Sequence, residues 1–387
     1  LGGRSVVWGR QCYRWSDLDF EANKIDGHGI DWPIRYKDLA PWYSHVERFV
    51  GVSGEKLNLP QLPDGEFLPP MDLSIAEKHF KNAVKSKFNE RVVTIGRTAN
   101  LTEPIESQNR GKCMYRSQCD RGCSYGAYFS TLSSTLPAAA KTGNLTTKAD
   151  TIVASLVFDD KKKKITGINA IDIKSKKLYK IKSRAVFLCA STVASIQILF
   201  NSKSHSMPNG LGNNYDILGR YLMDHTFGTG ATGILPFYDD YIEYGRRPTG
   251  MYIPRFRNLK NDQDKHEFVR GYNFQSWGQG RVPPQDINGF GEKLKKNLRI
   301  PGPWRLPLHA FCEILPRKSN RILVDDNKVD QYGIPQVKFE FEWSENEINM
   351  LKDATEQAEL MLKAAGCTSI EKRSIQSAPG TGIHEMG

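Results

Sequence analysis

The 387-residue sequence lacks any run of about 18 apolar residues, the length that a membrane-spanning helix requires. It has neither the cysteine and histidine spacing of a zinc finger nor an arginine-rich helix, which argues against nucleic-acid binding. It also lacks an initial methionine and a secretory leader. Since it starts at Leu1 and stops at Gly387, each inside a motif, we expect an interior part of a longer protein.

Cysteine is scarce and unevenly distributed. There are seven cysteines, an odd number, and three of them fall in one short stretch, which is not the pattern of a secreted disulfide scaffold. Cys189 and Cys312 lie among apolar neighbours, so we expect both to be buried as small hydrophobic residues.

Negative charge is in deficit, because the net charge is +11. The lysine run 161–164 lies between two β-like stretches, 151–158 and 165–173, and predicts a solvated hairpin turn. A basic surface of this kind would attract an acidic redox partner.

The length of 387 residues suits two domains or one large interleaved unit, and a hydrophobic content of 39% is enough for a real core. Several stretches are predicted to be helical. Asp38 is a candidate cap for a helix that places Trp42, Val46 and Phe49 on one face and stops at Gly51. Further helices are predicted over 74–88 and 128–142, the second with a break at its proline 137.

The clearest helix begins with a capping box at Ser344-Glu345-Asn346-Glu347. Its predicted inward face consists of Ile348, Leu351, Ala358, Met361 and Leu362, and Gly366 ends it.

Strand-like segments follow residue 143, at 144–149, 151–158, 165–173 and 179–181. Residues 184–189 form a continuous apolar run that predicts a strand buried on both faces. A turn of small residues and a helix over 193–200 follow, an arrangement that nucleotide-binding sheets use. An ordinary strand-to-helix turn is the alternative.

Period-two alternation between 228 and 343 predicts an antiparallel sheet with one solvated face, with strands at 250–256, 266–274, 308–314 and 336–343. Residues 17–32 and 279–306 are expected to be irregular, and the second of these stretches is rich in glycine and proline.

The opening stretch, Leu1-Gly2-Gly3-Arg4-Ser5-Val6-Val7-Trp8-Gly9, has the residues that a flat ligand would need. The glycines let the backbone approach closely, because nothing projects from their Cα atoms. Ser5 offers a hydroxyl and Trp8 an aromatic wall. A glycine-rich turn that enters a core strand is the alternative.

Two further motifs complete the pattern: Arg220-Tyr221-Leu222-Met223-Asp224-His225 and the terminal Thr381-Gly382-Ile383-His384-Glu385-Met386-Gly387. An imidazole suits acid–base chemistry near neutral pH, although a histidine beside glycines is also typical of an ordinary loop. The three stretches, in this order, resemble those of the glucose–methanol–choline (GMC) flavoprotein oxidoreductases, and the resemblance covers essentially the whole chain.

The resemblance implies an α/β plus α+β fold, with a truncated, discontinuous, Rossmann-like FAD-binding domain and an antiparallel-sheet substrate domain. It implies oxidation of a CH–OH group in a sugar, polyol or alcohol, with His384 as the base and a second catalytic residue beyond Gly387. His225 is expected to be structural and close to the flavin. The Gly-x-Gly-x-x-Gly signature of a dinucleotide site is absent, so FAD rests on the family resemblance.

The same resemblance assigns the cofactor residues. Gly2, Gly3, Ser5, Trp8 and Gly9 would lie by the isoalloxazine, and Val153, Ala190 and Ser191 by the adenosine half. Val7 occupies the position where related sugar oxidases attach the flavin to a histidine, so noncovalent FAD is expected.

Five segments are expected: 1–30 as a flavin-binding segment, 31–127 as a helical and loop insert with the cysteines, 128–228 as a further flavin-binding segment, 229–369 as the antiparallel-sheet substrate domain, and 370–387 as the start of a C-terminal catalytic segment.

The cysteine loop contains Cys113, Cys119 and Cys123 within eleven residues. Three thiolates can bind a metal or an iron–sulfur cluster, although the spacing matches no standard zinc ribbon. It is similar to the run in flavin subunits of sugar dehydrogenases, which implies a 3Fe-4S cluster and electron transfer to a cytochrome or small subunit. Inert or disulfide-bonded thiols are the alternative, and a GMC-like binding module without activity is a third interpretation of the whole chain.

Overall fold

The computed structural model describes residues 2–116, 118–241, 243, 248–259, 266–276 and 289–387. The chain forms two compact units. Unit 1 comprises Leu1–Leu145, Thr226–Glu313 and Glu345–Gln376, and unit 2 comprises Thr146–His225, Ile314–Ser344 and Ser377–Gly387. Within the described residues, no helix has the length and apolar character needed to cross a membrane.

The described residues form α-helices and antiparallel strands. The helices are α1 (Asp17–Phe20), α2 (Ala22–Asp26), α3 (Tyr36–Val50), α4 (Ile75–Lys87), α5 (Thr135–Lys141), α6 (Thr192–Asn201), α7 (Gly291–Arg299) and α8 (Glu345–Ala364). The strands are β1 (Thr94–Ile95), β2 (Thr151–Asp159), β3 (Lys164–Asp172), β4 (Leu178–Lys182), β5 (Thr229–Leu235), β6 (Met251–Ile253), β7 (Tyr272–Gln275), β8 (Trp304–Cys312), β9 (Arg321–Val329), β10 (Pro335–Glu340) and β11 (Thr368–Arg373).

Unit 1 is built on a six-stranded antiparallel sheet in the order β1-β6-β7-β8-β5-β11. Strands β5 and β8 pair without a register shift from Thr229↔Ala310 to Leu235↔Trp304. Helix α8 packs on these two strands, and α4 packs on α8. Trp304, Phe274 and Phe80 are fully buried between the sheet and these helices, so the sheet and helices share one hydrophobic core.

Helix α8 confirms most of the predicted apolar face. It begins directly after Ser344, and Gly366 follows it with φ +75. Leu351, Ala358, Met361 and Leu362 are buried, whereas Ile348 is 45% exposed and its predicted inward position was wrong. Ile348 lies at the edge of the apolar stripe and points away from the sheet, because the buried face of α8 is narrower than the stripe of apolar residues.

Helix α3 differs from its prediction in two ways. It begins at Tyr36, and Asp38 is the third helical residue, whose carboxylate accepts the Arg35 backbone N–H at 2.8 Å. The predicted packing face is exposed, since Trp42 and Val46 are 67% and 53% exposed. The helix is attached instead through buried Glu47, which pairs with buried Arg14.

Unit 2 contains the three-stranded antiparallel sheet β2-β3-β4, the β9–β10 hairpin and helix α6. Helix α6 confirms the helix predicted over 193–200. Buried residues of α6 contribute to two small cores: Ile196 and Phe200 pack with Leu222 and Ile322, and Ile198 packs with Leu156 and Leu211. The lysine run turns between β2 and β3 and is exposed, as predicted.

The apolar run 184–189 is not a strand. Phe187 is 89% exposed and Cys189 is exposed, so the predicted burial of both was wrong, whereas Cys312 is buried as expected. An extended segment becomes a strand only when a neighbour satisfies its backbone groups. Among the described residues no strand pairs with this run.

Several boundaries also needed correction. Residues 144–149 form no strand, and 17–32 contain α1 and α2 rather than loop alone. Pro137 lies in the first turn of α5, where proline is tolerated, so it breaks nothing. Helix α7 lies inside the stretch predicted to be irregular, of which 279–288 fall outside the described residues. Strands β5 and β9 fall in the stretch predicted to form an antiparallel sheet but were not assigned individually, and β1 and β11 were not predicted.

Candidate active site

The last segment of unit 2, Ser377–Gly387, is called here the terminal loop. It bonds to one buried carboxylate, that of Asp224, which is 5% exposed. Its Oδ2 accepts the backbone N–H of Gly380 at 2.9 Å, and its Oδ1 accepts that of His384 at 3.0 Å. Oδ1 also accepts the N–H of His225 at 2.7 Å. Hydrogen bonds from N–H groups to an ionised acceptor are roughly twice as strong as neutral ones, so Asp224 fixes the backbone that carries His384.

Two backbone contacts support the same loop. Met223 and Met386 form an antiparallel bridge, with N···O distances of 2.8 and 2.9 Å. The hydroxyl of Thr192, the first residue of α6, donates to the carbonyl of Glu385 at 2.6 Å. The loop is therefore attached both to the strand-like segment before Asp224 and to the start of α6.

The backbone immediately before His384 is strained. Ile383, a β-branched residue, has φ +54, a left-handed conformation that such residues rarely adopt. Its neighbour Gly382 lies against Asp224, where a Cβ atom would come within 2.7 Å of Oδ1. The Asp224 hydrogen bonds maintain this conformation, and only glycine fits at position 382.

The imidazoles of His384 and His225 contact each other directly. Their Nδ1 atoms are 2.9 Å apart, and the rings are nearly perpendicular, with centroids separated by 5.1 Å. His384 is exposed, and His225 is partly buried. Burial, together with the neighbouring His384, lowers the pKa of His225 to about 4, so His225 is neutral at physiological pH.

In unit 1 the opening segment forms a short 3₁₀ helix, Gly3–Val6, preceded by Gly2 in the left-handed region. The Ser5 hydroxyl donates to the Gly2 carbonyl and accepts the backbone N–H of Thr131 at 3.0 Å. The Trp8 indole donates to the Phe129 carbonyl at 3.0 Å. Ser5 and Trp8 therefore hold the segment to the rest of unit 1 through their polar atoms.

Gly3 is the open point of this segment. It is exposed, has φ +51, and a Cβ atom built on it would have no heavy atom within 4 Å. Gly2 and Gly9 are partly buried. A flat aromatic group can approach the backbone at Gly3 without meeting a side chain, so the residues present fit the isoalloxazine ring that the family resemblance implies.

The residues expected near the adenosine half lie together in unit 2. Val153 on β2 and Ala190 pack around the same small core of Leu156, Ile198 and Leu211. Ser191 precedes α6, is exposed, and has φ +70. Because the next residue, Thr192, bonds to Glu385, this turn is linked to the terminal loop. The opening segment belongs to the other unit.

Cys113, Cys119 and Cys123 are all partly buried and are not disulfide-bonded. Burial raises the pKa of Cys113, and the nearby Cys119 and Cys123 raise it further. Across the part of the chain that the structure describes, no three histidine, cysteine or acidic side chains converge as a metal site would require. The thiols are neighbours without forming a ligand set, so the residues as placed do not fit an iron–sulfur cluster.

Sequence reasoning proposed His384 as a candidate base and a structural role for the segment that contains Asp224, but it did not predict that Asp224 and Gly382 hold the backbone of His384. The available signal was a carboxylate directly after the apolar pair Leu222-Met223, where a charge must find partners if it is buried. Its partners in the terminal loop, Gly380 and His384, lie 156 and 160 positions away, so the sequence could not name them.

Comparison with known proteins gives one family and several distant relatives. The model of the GMC oxidoreductase family matches residues 1–227. The chain is 22% identical to the fructose dehydrogenase large subunit of Gluconobacter japonicus, over 96% of the chain and 67% of the relative. It is 23% identical to 2-methyl-1,2-propanediol dehydrogenase of Mycolicibacterium austroafricanum, over 100% and 70%. It is 22% identical to paromamine 6'-oxidase of Streptomyces fradiae, over 98% and 66%. The chain thus spans about two thirds of these relatives.

Proposed function

Because this chain belongs to the GMC oxidoreductase family, an enzyme family that acts on CH–OH donors, we propose that it oxidises a sugar, polyol or alcohol and that His384 is its catalytic base. The observation that carries this proposal is the setting of His384. Its imidazole is exposed, its backbone N–H is held by buried Asp224, and its Nδ1 is 2.9 Å from that of His225.

In this proposal His384 accepts the hydroxyl proton of the substrate at Nε2, because Nδ1 already bonds to His225. A general base must be held in one position, and removing one typically costs about 10² to 10⁴ in rate. The bonds that Asp224 makes to the backbone on both sides of Ile383 supply that fixed position.

FAD, when bound, supplies the hydride acceptor for this oxidation. Gly2, Gly3, Ser5, Trp8 and Gly9 would hold its ring system, with Gly3 as the point of close backbone approach. Val153, Ala190 and Ser191 would hold the adenosine half, within the Rossmann-like arrangement that the family resemblance implies. Val7 cannot form a histidine–flavin bond, so FAD would be bound noncovalently.

The substrate class follows from the relatives. Their names specify fructose, 2-methyl-1,2-propanediol and paromamine, and the first two are a sugar and a diol. We propose small polyhydroxy compounds as substrates for this chain. One relative is named as a large subunit, which supports a partner subunit or a cytochrome acceptor as a further proposal.

An iron–sulfur cluster at Cys113, Cys119 and Cys123 stays a separate hypothesis from the sequence. The proximity that raises the pKa of Cys113 is in its favour, whereas the absence of a convergent ligand set in the described residues is against it. Iron analysis of purified protein tests it. About three iron atoms per chain, lost in Cys119→Ser, would establish the cluster.

The experiment that tests the main proposal is anaerobic flavin reduction by a panel of sugars, polyols and alcohols, followed at the flavin absorbance. We expect at least one compound to bleach the flavin of the parent protein. The variant His384→Ala should keep its FAD and lose at least about 100-fold in reduction rate.

A matched control is His205→Ala, which removes an exposed histidine of the same unit that is not part of the site. It should reduce flavin at the parental rate. Near-parental reduction by His384→Ala would remove His384 from the mechanism, and failure of every compound to bleach the parent would leave a binding module.

A further inference from the structure

The contact between His225 and His384 restricts which ring nitrogens carry a proton. Nδ1 faces Nδ1 at 2.9 Å, a hydrogen-bond distance, so one ring must carry a proton on Nδ1 and the other must present a lone pair there. A neutral imidazole has one N–H and one bare nitrogen. The choice at the shared contact therefore decides which nitrogen of each ring holds the lone pair.

We propose that His225 is a positioning residue that accepts the Nδ1–H of His384 and thereby keeps the lone pair of His384 on Nε2. This inference rests on the proposed function, since it concerns how the base is prepared. In the opposite arrangement His225 would donate, His384 would carry its proton on Nε2, and that nitrogen would be unable to accept a proton from a substrate.

The surroundings favour His225 as the acceptor. Its burial disfavours a positive charge, whereas His384 is exposed and can carry one. When His384 takes a proton on Nε2, its Nδ1–H continues to donate to neutral His225, so this hydrogen bond is kept in both states of the base. A contact that needs no rearrangement on proton transfer is what preorganisation requires.

The backbone also fixes the pair as a unit. The same oxygen of Asp224, Oδ1, accepts the N–H of His225 and the N–H of His384. One carboxylate thus sets the separation of the two Cα positions from which the rings approach. The arrangement has the logic of a catalytic triad, in which a neighbour selects the tautomer of the base, except that the neighbour here is a second imidazole.

The direct test is nitrogen NMR of the protein labelled with ¹⁵N-histidine, at about pH 7.5. The sequence has eight histidines, and the two resonance sets of interest are assigned by their loss in His225→Asn and His384→Gln. We expect His384 to be protonated at Nδ1 and bare at Nε2, and His225 to be bare at Nδ1. A bare Nδ1 on His384 would overturn the inference, whatever the activity.

The kinetic test compares three variants by the rate of flavin reduction at saturating substrate. His225→Phe removes the acceptor and should lose about 100-fold, since a base held in the wrong tautomer can lose up to about 10⁴. His225→Asn places an amide oxygen near the position of Nδ1 and should restore the rate to within about tenfold of the parent. His205→Phe is the matched control and should behave as the parent.

FAD content and thermal stability are measured for each variant beside the rate of flavin reduction. A purely structural role of His225 would lower all three quantities together, and the Asn variant would not restore them. Equal losses in the Phe and Asn variants with normal FAD would contradict the proposal. If His225→Phe does not fold, the NMR result on the parent protein decides whether the inference holds. If the parent shows the expected tautomers but the His384→Gln variant still reduces flavin, then His384 is not the base, while the inferred hydrogen bond between the two histidines still holds.

Discussion

The opening segment and the terminal loop are both short, glycine-containing stretches with one chemically distinctive residue, yet they are held in different ways. Ser5 and Trp8 attach the opening segment at separate points, through Thr131 and Phe129. In the terminal loop, the backbone N–H groups of Gly380 and His384 both donate to one carboxylate, that of Asp224, which also accepts the N–H of His225. The bridge to Met223 and the bond from Thr192 attach only the last residues of this loop. Loss of Asp224 would therefore remove three hydrogen bonds at once, whereas loss of Ser5 or Trp8 would remove the contacts of one attachment point only.

The two segments also differ in backbone strain. Each has a residue with a positive φ, but in the opening segment that residue is Gly3, which adopts this conformation without cost, whereas in the terminal loop it is Ile383. A strained residue persists only where its surroundings over-determine it. Of the two segments, the terminal loop is therefore the one in which a single substitution should have the larger effect.

The largest expected effect is that of Asp224→Ala. Three N–H groups lose their acceptor, and each buried unsatisfied group costs about 1–3 kcal/mol, so we expect a loss of about 3 kcal/mol or more in the free energy of unfolding. Flavin reduction should fall by at least about 100-fold, as it would without the base. Denaturant unfolding and anaerobic flavin reduction measure the two effects.

Asp224→Asn is the matched variant. Its amide oxygen can still accept from His225 and His384, but its NH₂ group would face the N–H of Gly380. We expect losses between those of the parent and the Ala variant. An Ala variant as stable and active as the parent would show that the Met223–Met386 bridge and the Thr192 contact hold the loop without Asp224.

The next effect concerns the opening segment and FAD. The structure leaves room for a side chain at Gly3, so Gly3→Val should change stability only through backbone strain, by about 1–2 kcal/mol. If FAD lies there, its affinity should fall at least tenfold, equivalent to about 1.4 kcal/mol. Flavin absorbance per chain measures occupancy, and Gly3→Ala should have a smaller effect. Full occupancy in the Val variant would make Gly3 an ordinary turn residue.

Low pH should destabilise the fold through His225, beside the terminal loop. The pKa of His225 is about 4 in the folded chain against an ordinary value of 6.5, so between these values the unfolded state binds more protons. The His225 contribution therefore lowers stability as the pH falls from 6.5 to 4. The melting temperature of the parent should decline more steeply over this range than that of His225→Asn. Parallel declines would mean that His225 titrates normally.

The smallest effect is expected for Ser5→Ala, at about 1 kcal/mol in the free energy of unfolding, because the hydroxyl makes ordinary neutral hydrogen bonds and Trp8 still attaches the segment. Chemical denaturation measures it, with Ser5→Thr as the variant that keeps a hydroxyl. A loss as large as that of Asp224→Ala would abolish the contrast between the two segments.

Local features were accessible to sequence reasoning. The apolar periodicity of α8, the helix that follows Ser74 and the glycine that ends α3 depend on neighbours within a few positions, and each was predicted. His384 and the opening glycines were found because short motifs carry them. In both cases the information lies within one or two turns of chain.

The failures have a common cause. The run 184–189 has the composition of a buried strand, and Trp42 and Val46 have the spacing of a packed helix face, but all are largely irregular or exposed. Whether an apolar residue is buried depends on what the rest of the chain places against it, and a strand exists only when it has a partner. Neither can be read from a short stretch of sequence.

The sequence by itself determined which residue types are available for chemistry: a histidine in a terminal motif, glycines at the opening, and an acidic residue after an apolar pair. Only the tertiary structure decided that Asp224 anchors His384 and that His225 meets it through Nδ1. The reason is that these contacts join positions 159 or 160 residues apart, and their geometry follows from the path of the whole of unit 2.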